Sequence, residues 1–88
     1  MTKAEEIKKA FLEMENAETL CDRAEELYTF TPDEKHEKEF DEAYKTSFNA
    51  TEKLISLLCG IGYDAKTWRK VLATKRDSVK DLVKRLSA

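Results

Sequence analysis

Thr31-Pro32-Asp33-Glu34 divides the first sixty residues into two helices that must lie side by side. Thr31 offers an N-cap hydroxyl, Pro32 takes the first helical position, where its missing N–H costs nothing, and Glu34 stands at N3. The residue before a proline is pushed out of the α region, so the preceding helix has to stop here as well. So short a connection turns the chain back on itself and makes the flanking helices antiparallel neighbours.

Upstream of this boundary, Thr2 and Glu5 have the spacing of a capping box. Ile7, Phe11, Met14, Cys21, Ala24 and Tyr28 then recur in steps that are mostly three and four, which is one stripe of a helix. Downstream, Phe40, Tyr44, Phe48, Leu54, Ile55 and Leu58 form a second stripe, widened by Ala43, Ala50 and Leu57. Gly60 and Gly62 close that helix, a glycine at C′ taking the left-handed conformation. Asp64 caps a third helix, with Tyr63 and Trp68 placed as a hydrophobic staple. Ala65, Trp68, Leu72, Val79, Leu82 and Leu86 continue it, with a gap in the apolar pattern at Lys75. The reading taken is one continuous helix with Lys75 snorkelling its ammonium to the edge; the alternative is a kink near Ala73-Thr74.

The expected fold is therefore all-α, an up-down-up antiparallel three-helix bundle. It forms one domain over residues 1–88, with helices at about 3–29, 32–59 and 65–87. The expected core is Ile7, Phe11, Met14, Tyr28, Phe40, Tyr44, Phe48, Leu54, Ile55, Leu58, Trp68, Leu72, Val79, Leu82 and Leu86. Composition agrees with this. Two Gly and one Pro in 88 residues are too few for a turn-rich β fold, and 41 % hydrophobic residues set in helical periods are too many for a disordered tail. The chain begins without an apolar h-region and contains no run long enough to span a bilayer, so the expected setting is cytoplasmic, away from membranes.

Chemistry-bearing motifs are scarce. A Walker loop, a dinucleotide glycine fingerprint, paired zinc ligands and HExxH are all absent. Cys21 and Cys59 lack CxxC spacing, and the hairpin would hold them about 28 Å apart, beyond disulfide reach. His36, the single histidine, has Asp33 one turn before it but no second histidine to complete a carboxylate–histidine metal site. A bundle packed through its centre leaves no room for a ligand pocket of ~300 Å3. The expectation is a protein without catalytic residues, metal or cofactor.

Charge carries more information. Residues 1–30 have net charge −4, residues 31–60 −3, and residues 61–88 +5, an acidic hairpin joined to a basic segment. On a continuous third helix Lys66, Arg69, Lys70, Arg76, Lys80 and Lys84 would share an arc of roughly 120°. Such a ridge suits phosphate or an acidic protein, whereas the plainer reading pairs these cations with hairpin carboxylates. Leu12 and Phe30 lie off the core stripes and, with Tyr28 and Phe40, are a candidate apolar docking patch. The leading expectation is a small adaptor, regulator or inhibitor that covers the surface of a protein partner. The alternatives are a nucleic-acid-binding protein that uses the basic ridge, and a homodimer formed through the off-stripe leucines, Leu12, Leu20, Leu27 and Leu57.

Overall fold

The computed structural model describes residues 2–86, and all of its regular structure is helical. There are four helices: α1 at Lys3–Phe30, α2 at Glu34–Leu58, α3 at Ala65–Thr74 and α4 at Arg76–Leu86. The all-α expectation holds, but the three-helix bundle does not, because the third rod is two short helices meeting at Lys75. The expected end of that rod at residue 87 lies outside the described residues.

The two long helices form the expected hairpin. Thr2 Oγ1 accepts from the Glu5 N–H at 3.2 Å and donates to the Glu5 carboxylate at 3.0 Å, closing the start of α1. The second helix begins two residues later than expected. Thr31 is the C-cap of α1, its N–H donating to Leu27 O, and Asp33 is the N-cap of α2, accepting from the His36 N–H at 2.8 Å. The carboxylate of Asp33 carries a full charge against the helix dipole, which a threonine hydroxyl cannot offer. Two contacts show the antiparallel pairing: near the tip Tyr28 meets Phe40 edge-to-face, with ring centroids 6.2 Å apart, and further down Lys53 reaches Glu13 at 3.4 Å.

The turn after α2 follows the sequence reading with one change. Gly62, not Gly60, holds the left-handed backbone, at φ 80°. Asp64 caps α3 by accepting from the Thr67 N–H at 2.8 Å. Tyr63 and Trp68 form the staple, their rings 5.0 Å apart and inclined at 66°. Trp68 is buried, and its Nε1–H has no hydrogen-bond partner among the described residues. That orphan costs about 1–3 kcal/mol, which the burial of the indole and its contact with Tyr63 offset.

At Lys75 the backbone leaves the helical region, at φ −134° and ψ 48°, while its N–H still closes the last turn of α3 onto Val71 O. The apolar stripe explains where the break falls. Trp68, Leu72, Val79 and Val83 would share one face of a continuous helix, but the position between them would bring Lys75 or Arg76 against the core. An ammonium or guanidinium cannot be buried there without a partner. The chain opens instead, and Arg76 Nε donates to the Leu72 carbonyl at 3.1 Å. From this corner α4 descends along α1: Arg76 meets Glu18, while Lys80 and Val83 lie over Lys8, Phe11 and Leu12.

The core occupies one end of the molecule. Ile7, Ala10, Phe11 and Met14 of α1, Leu54, Ile55 and Leu58 of α2, Trp68 and Leu72 of α3, and Val79 and Val83 of α4 form one cluster. Beyond α3 and α4 the hairpin continues as a bare pair of helices, and the whole measures 43 × 25 × 19 Å. Tyr44 and Phe48, expected in the core, are 60 % and 56 % exposed, and Tyr28 and Phe40 are half-buried against each other. Val83, Ala10 and Ala17 are buried without having been expected there.

This division predicts two classes of alanine substitution. Leu54→Ala should lose about 2–5 kcal/mol in urea denaturation, since it opens a cavity in the cluster. Phe48→Ala should stay within about 0.5 kcal/mol. Equal losses at the two positions would contradict the placement of the core.

Candidate functional site

The faces of the hairpin that α3 and α4 cover at its base run on past the ends of these helices. On α2, Ile55, Thr51, Phe48 and Tyr44 succeed one another at helical spacing, buried, part-buried, then exposed twice. On α1, Phe11, Glu15, Glu18, Asp22 and Glu25 do the same, starting under α4 and ending in solvent. Between the two stripes lies an open groove of about 520 Å3, lined by Glu15, Glu18, Asp22 and Glu25 on one wall and by Phe40, Tyr44 and Ser47 on the other. The expectation that no such volume would remain fails because the core stops halfway along the hairpin.

Cys21 stands in this groove. Burial pushes its thiol pKa up, and the carboxylates of Asp22, Glu25 and Glu18 push it further in the same direction. A thiol held protonated by its surroundings is a poor nucleophile. Cys21 is half-buried and Cys59 exposed, and both are unbridged.

The lower end of the groove is closed by the chain itself. Arg76 forks onto Glu18 through Nη1–Oε1 at 2.6 Å and Nη2–Oε2 at 3.0 Å, with both side chains about one-third exposed. Arg69 grips Glu52 of α2 in the same manner, at 3.0 and 2.7 Å. The hydrogen bonds from Arg69 hold the Glu52 carboxyl below its usual range, and those that Arg76 donates to Glu18 keep its own guanidinium charged more firmly still. Planar forks of this kind fix geometry as well as charge.

The expected basic ridge is therefore divided. Arg69 lies on α3 and turns toward α2, Arg76 opens α4 and turns toward α1, and both are engaged by glutamates. Lys66 and Lys70 are exposed on α3, and Lys80 and Lys84 on α4 flank Leu12 in a shallow hollow with Lys8, Phe11 and Val83. The six cations do not share one helix face.

The expected apolar patch is divided too. Leu12 sits beside α4 near the base, whereas Tyr28, Phe30 and Phe40 are at the hairpin tip, where Phe30 is 79 % exposed. The larger exposed set is one the sequence reading did not assemble: Tyr44 and Phe48 on α2, with Leu20 and Leu27 on another face of α1. The periodicity of Tyr44 and Phe48 is visible, but only the lengths of α3 and α4 reveal that nothing covers these two.

Asp33 and His36 approach to 2.6 Å through Oδ1 and Nδ1, a contact that belongs to the cap of α2. Among the described residues no group of three or more His, Cys, Asp or Glu side chains is arranged to hold a metal ion, and no helix is long and apolar enough to cross a membrane.

The Arg76–Glu18 fork is open to direct measurement. A double-mutant cycle with Arg76→Gln and Glu18→Gln should give a coupling of about 1 kcal/mol that shrinks as salt is added. Coupling indistinguishable from zero would mean that the corner is held by packing alone. No family model, curated protein or solved structure matches the chain.

Proposed function

We propose that this protein is a non-enzymatic interaction module, an adaptor, regulator or inhibitor that works by presenting the uncovered half of its hairpin to another protein. The observation that carries this reading is the exposure, along the uncovered part of the hairpin, of Tyr44 and Phe48 on α2, Leu20 and Leu27 on another face of α1, and Phe30 at the tip, each more than half exposed. Exposed apolar side chains scattered singly are ordinary, but several on one continuous element are characteristic of interaction surfaces. Aromatic residues are the side chains most often found at the energetic centre of such surfaces. The base of the molecule supplies the folding energy, so the distal hairpin can keep an apolar surface without being needed for the core.

The reading favours a protein over a nucleic acid. Carboxylates line the groove, and the arginines that would have headed a cationic ridge are engaged by Glu52 and Glu18. Phosphate would meet repulsion in the groove and competition from Glu52 and Glu18 at the two arginines.

Site-specific photo-crosslinking tests this. A benzophenone amino acid at Phe48 or Leu27 should yield nuclease-resistant protein adducts in native extract, and the same group at Lys70 or Lys80 should yield none. Nuclease-sensitive adducts confined to Lys70 and Lys80 would overturn the reading in favour of nucleic acid. Adducts only between copies of this chain would make it a homodimer.

A further inference from the structure

The groove above the α3–α4 corner also indicates what kind of segment it takes. Its walls are the continuation of the two faces that the chain's own short helices already cover, and they differ in chemistry. The α1 wall is a line of carboxylates, Glu15, Glu18, Asp22 and Glu25, and the α2 wall is Phe40 and Tyr44, with Phe48 beyond them. An occupant that satisfies both must be cationic along one edge and apolar along the other. Helical periodicity supplies two such edges at once, because positions three and four apart fall on one side.

The molecule contains a template for this binding mode. Helix α4 carries Arg76 at its start and Val79 and Val83 on its buried face; it lays the valines into the core while the guanidinium forks onto Glu18. Helix α3 repeats the arrangement on the neighbouring face with Trp68, Leu72 and the Arg69–Glu52 fork. Above Glu18 the same acidic line continues through Asp22 and Glu25 with no helix against it. From Glu18 to Tyr28 the uncovered length is about 15 Å at 1.5 Å per residue, room for a helix of about ten or eleven residues, the size of α3 or α4.

We propose that this groove binds a short basic amphipathic helix of a partner protein, whose arginines or lysines pair with Asp22 and Glu25 and whose apolar side chains pack on Phe40, Tyr44 and Phe48. The proposal rests on the interaction reading above and names the partner's chemistry. A second copy docking its own hairpin face here would bring like-charged carboxylates together, which opposes it. A helix laid in a groove derives its affinity from the apolar anchors and its orientation from the flanking charges.

The test uses fluorescence anisotropy with two labelled probes: an arginine–leucine amphipathic helical peptide of about fourteen residues, and its counterpart with every arginine replaced by glutamate. The full-length protein should bind the basic peptide and not the acidic one. Asp22→Lys with Glu25→Lys, and separately Tyr44→Ser with Phe48→Ser, should each weaken binding by about tenfold or more. Lys66→Glu, remote from the groove, should change it less than about twofold. The substituted groove positions are exposed, and circular dichroism with urea denaturation verifies that each variant remains folded.

The Asp22→Lys, Glu25→Lys protein should in turn gain affinity for the acidic peptide. Absence of binding by the wild type at about 1 mM peptide would overturn the proposal, as would equal binding of both peptides. Indifference to the Tyr44 and Phe48 changes would do the same. A concentration-dependent dimer by sedimentation, abolished by Tyr44→Ser with Phe48→Ser, would assign the groove to a second copy instead. Should the peptides fail while crosslinks at Phe48 persist, the interaction reading stands and only this choice of occupant falls.

Discussion

Ten- and eleven-residue helices cannot cover a hairpin whose arms are 28 and 25 residues long. At 1.5 Å per residue the short helices reach about 15 Å along arms of about 40 Å. The break at Lys75 sets this mismatch, and most of what distinguishes the molecule follows from it. Had the third rod run straight, it would have lain along the hairpin, buried Tyr44 and Phe48, and left one basic face outward. Folded back on itself, it gives a well-packed base and a protruding pair of helices.

The base is enough to hold the fold. Met14, Leu54 and Leu58 are fully buried, and Ile7, Ile55 and Val79 nearly so. Complete burial of side chains this size stabilises by roughly 1.5–3 kcal/mol each before the cost of chain ordering. The distal hairpin relies on a thinner seam, Cys21, Ala24, Tyr28, Phe40, Ala43 and Ser47, all only part-buried. At the tip, where packing is light, the Asp33 cap fixes the start of α2.

Much of this was legible in the residues. Pro32 marked the hairpin, the apolar periods placed α1 and α2, and the Tyr63–Trp68 staple with its Asp64 cap appeared as their spacing implied. The N-cap of α2 was misplaced because Thr31 and Asp33 both present oxygens within three residues, and local spacing does not rank them. The break at Lys75 was signalled only by one polar gap, since Trp68, Leu72, Val79 and Val83 keep the same phase across it. Periodicity names the face a residue occupies, not the length of the neighbour that covers it. Tyr44 and Phe48 therefore looked identical in kind to Ile55, and only the tertiary lengths separate them. The basic ridge was drawn on one straight helix; with the helix divided, its six cations lie on α3 and α4, and Arg69 and Arg76 turn to different glutamates.

Hydrogen exchange resolved by residue addresses the half-covered hairpin most directly. If α3 and α4 protect only the base, amides of residues 7–17 and 50–58 should exchange near the rate of global unfolding. Those of residues 20–28 and 36–46 should exchange faster by about two orders of magnitude or more. Uniform slow exchange along both arms in a monomer would contradict the account, because it would require a cover over the distal half that these four helices do not provide.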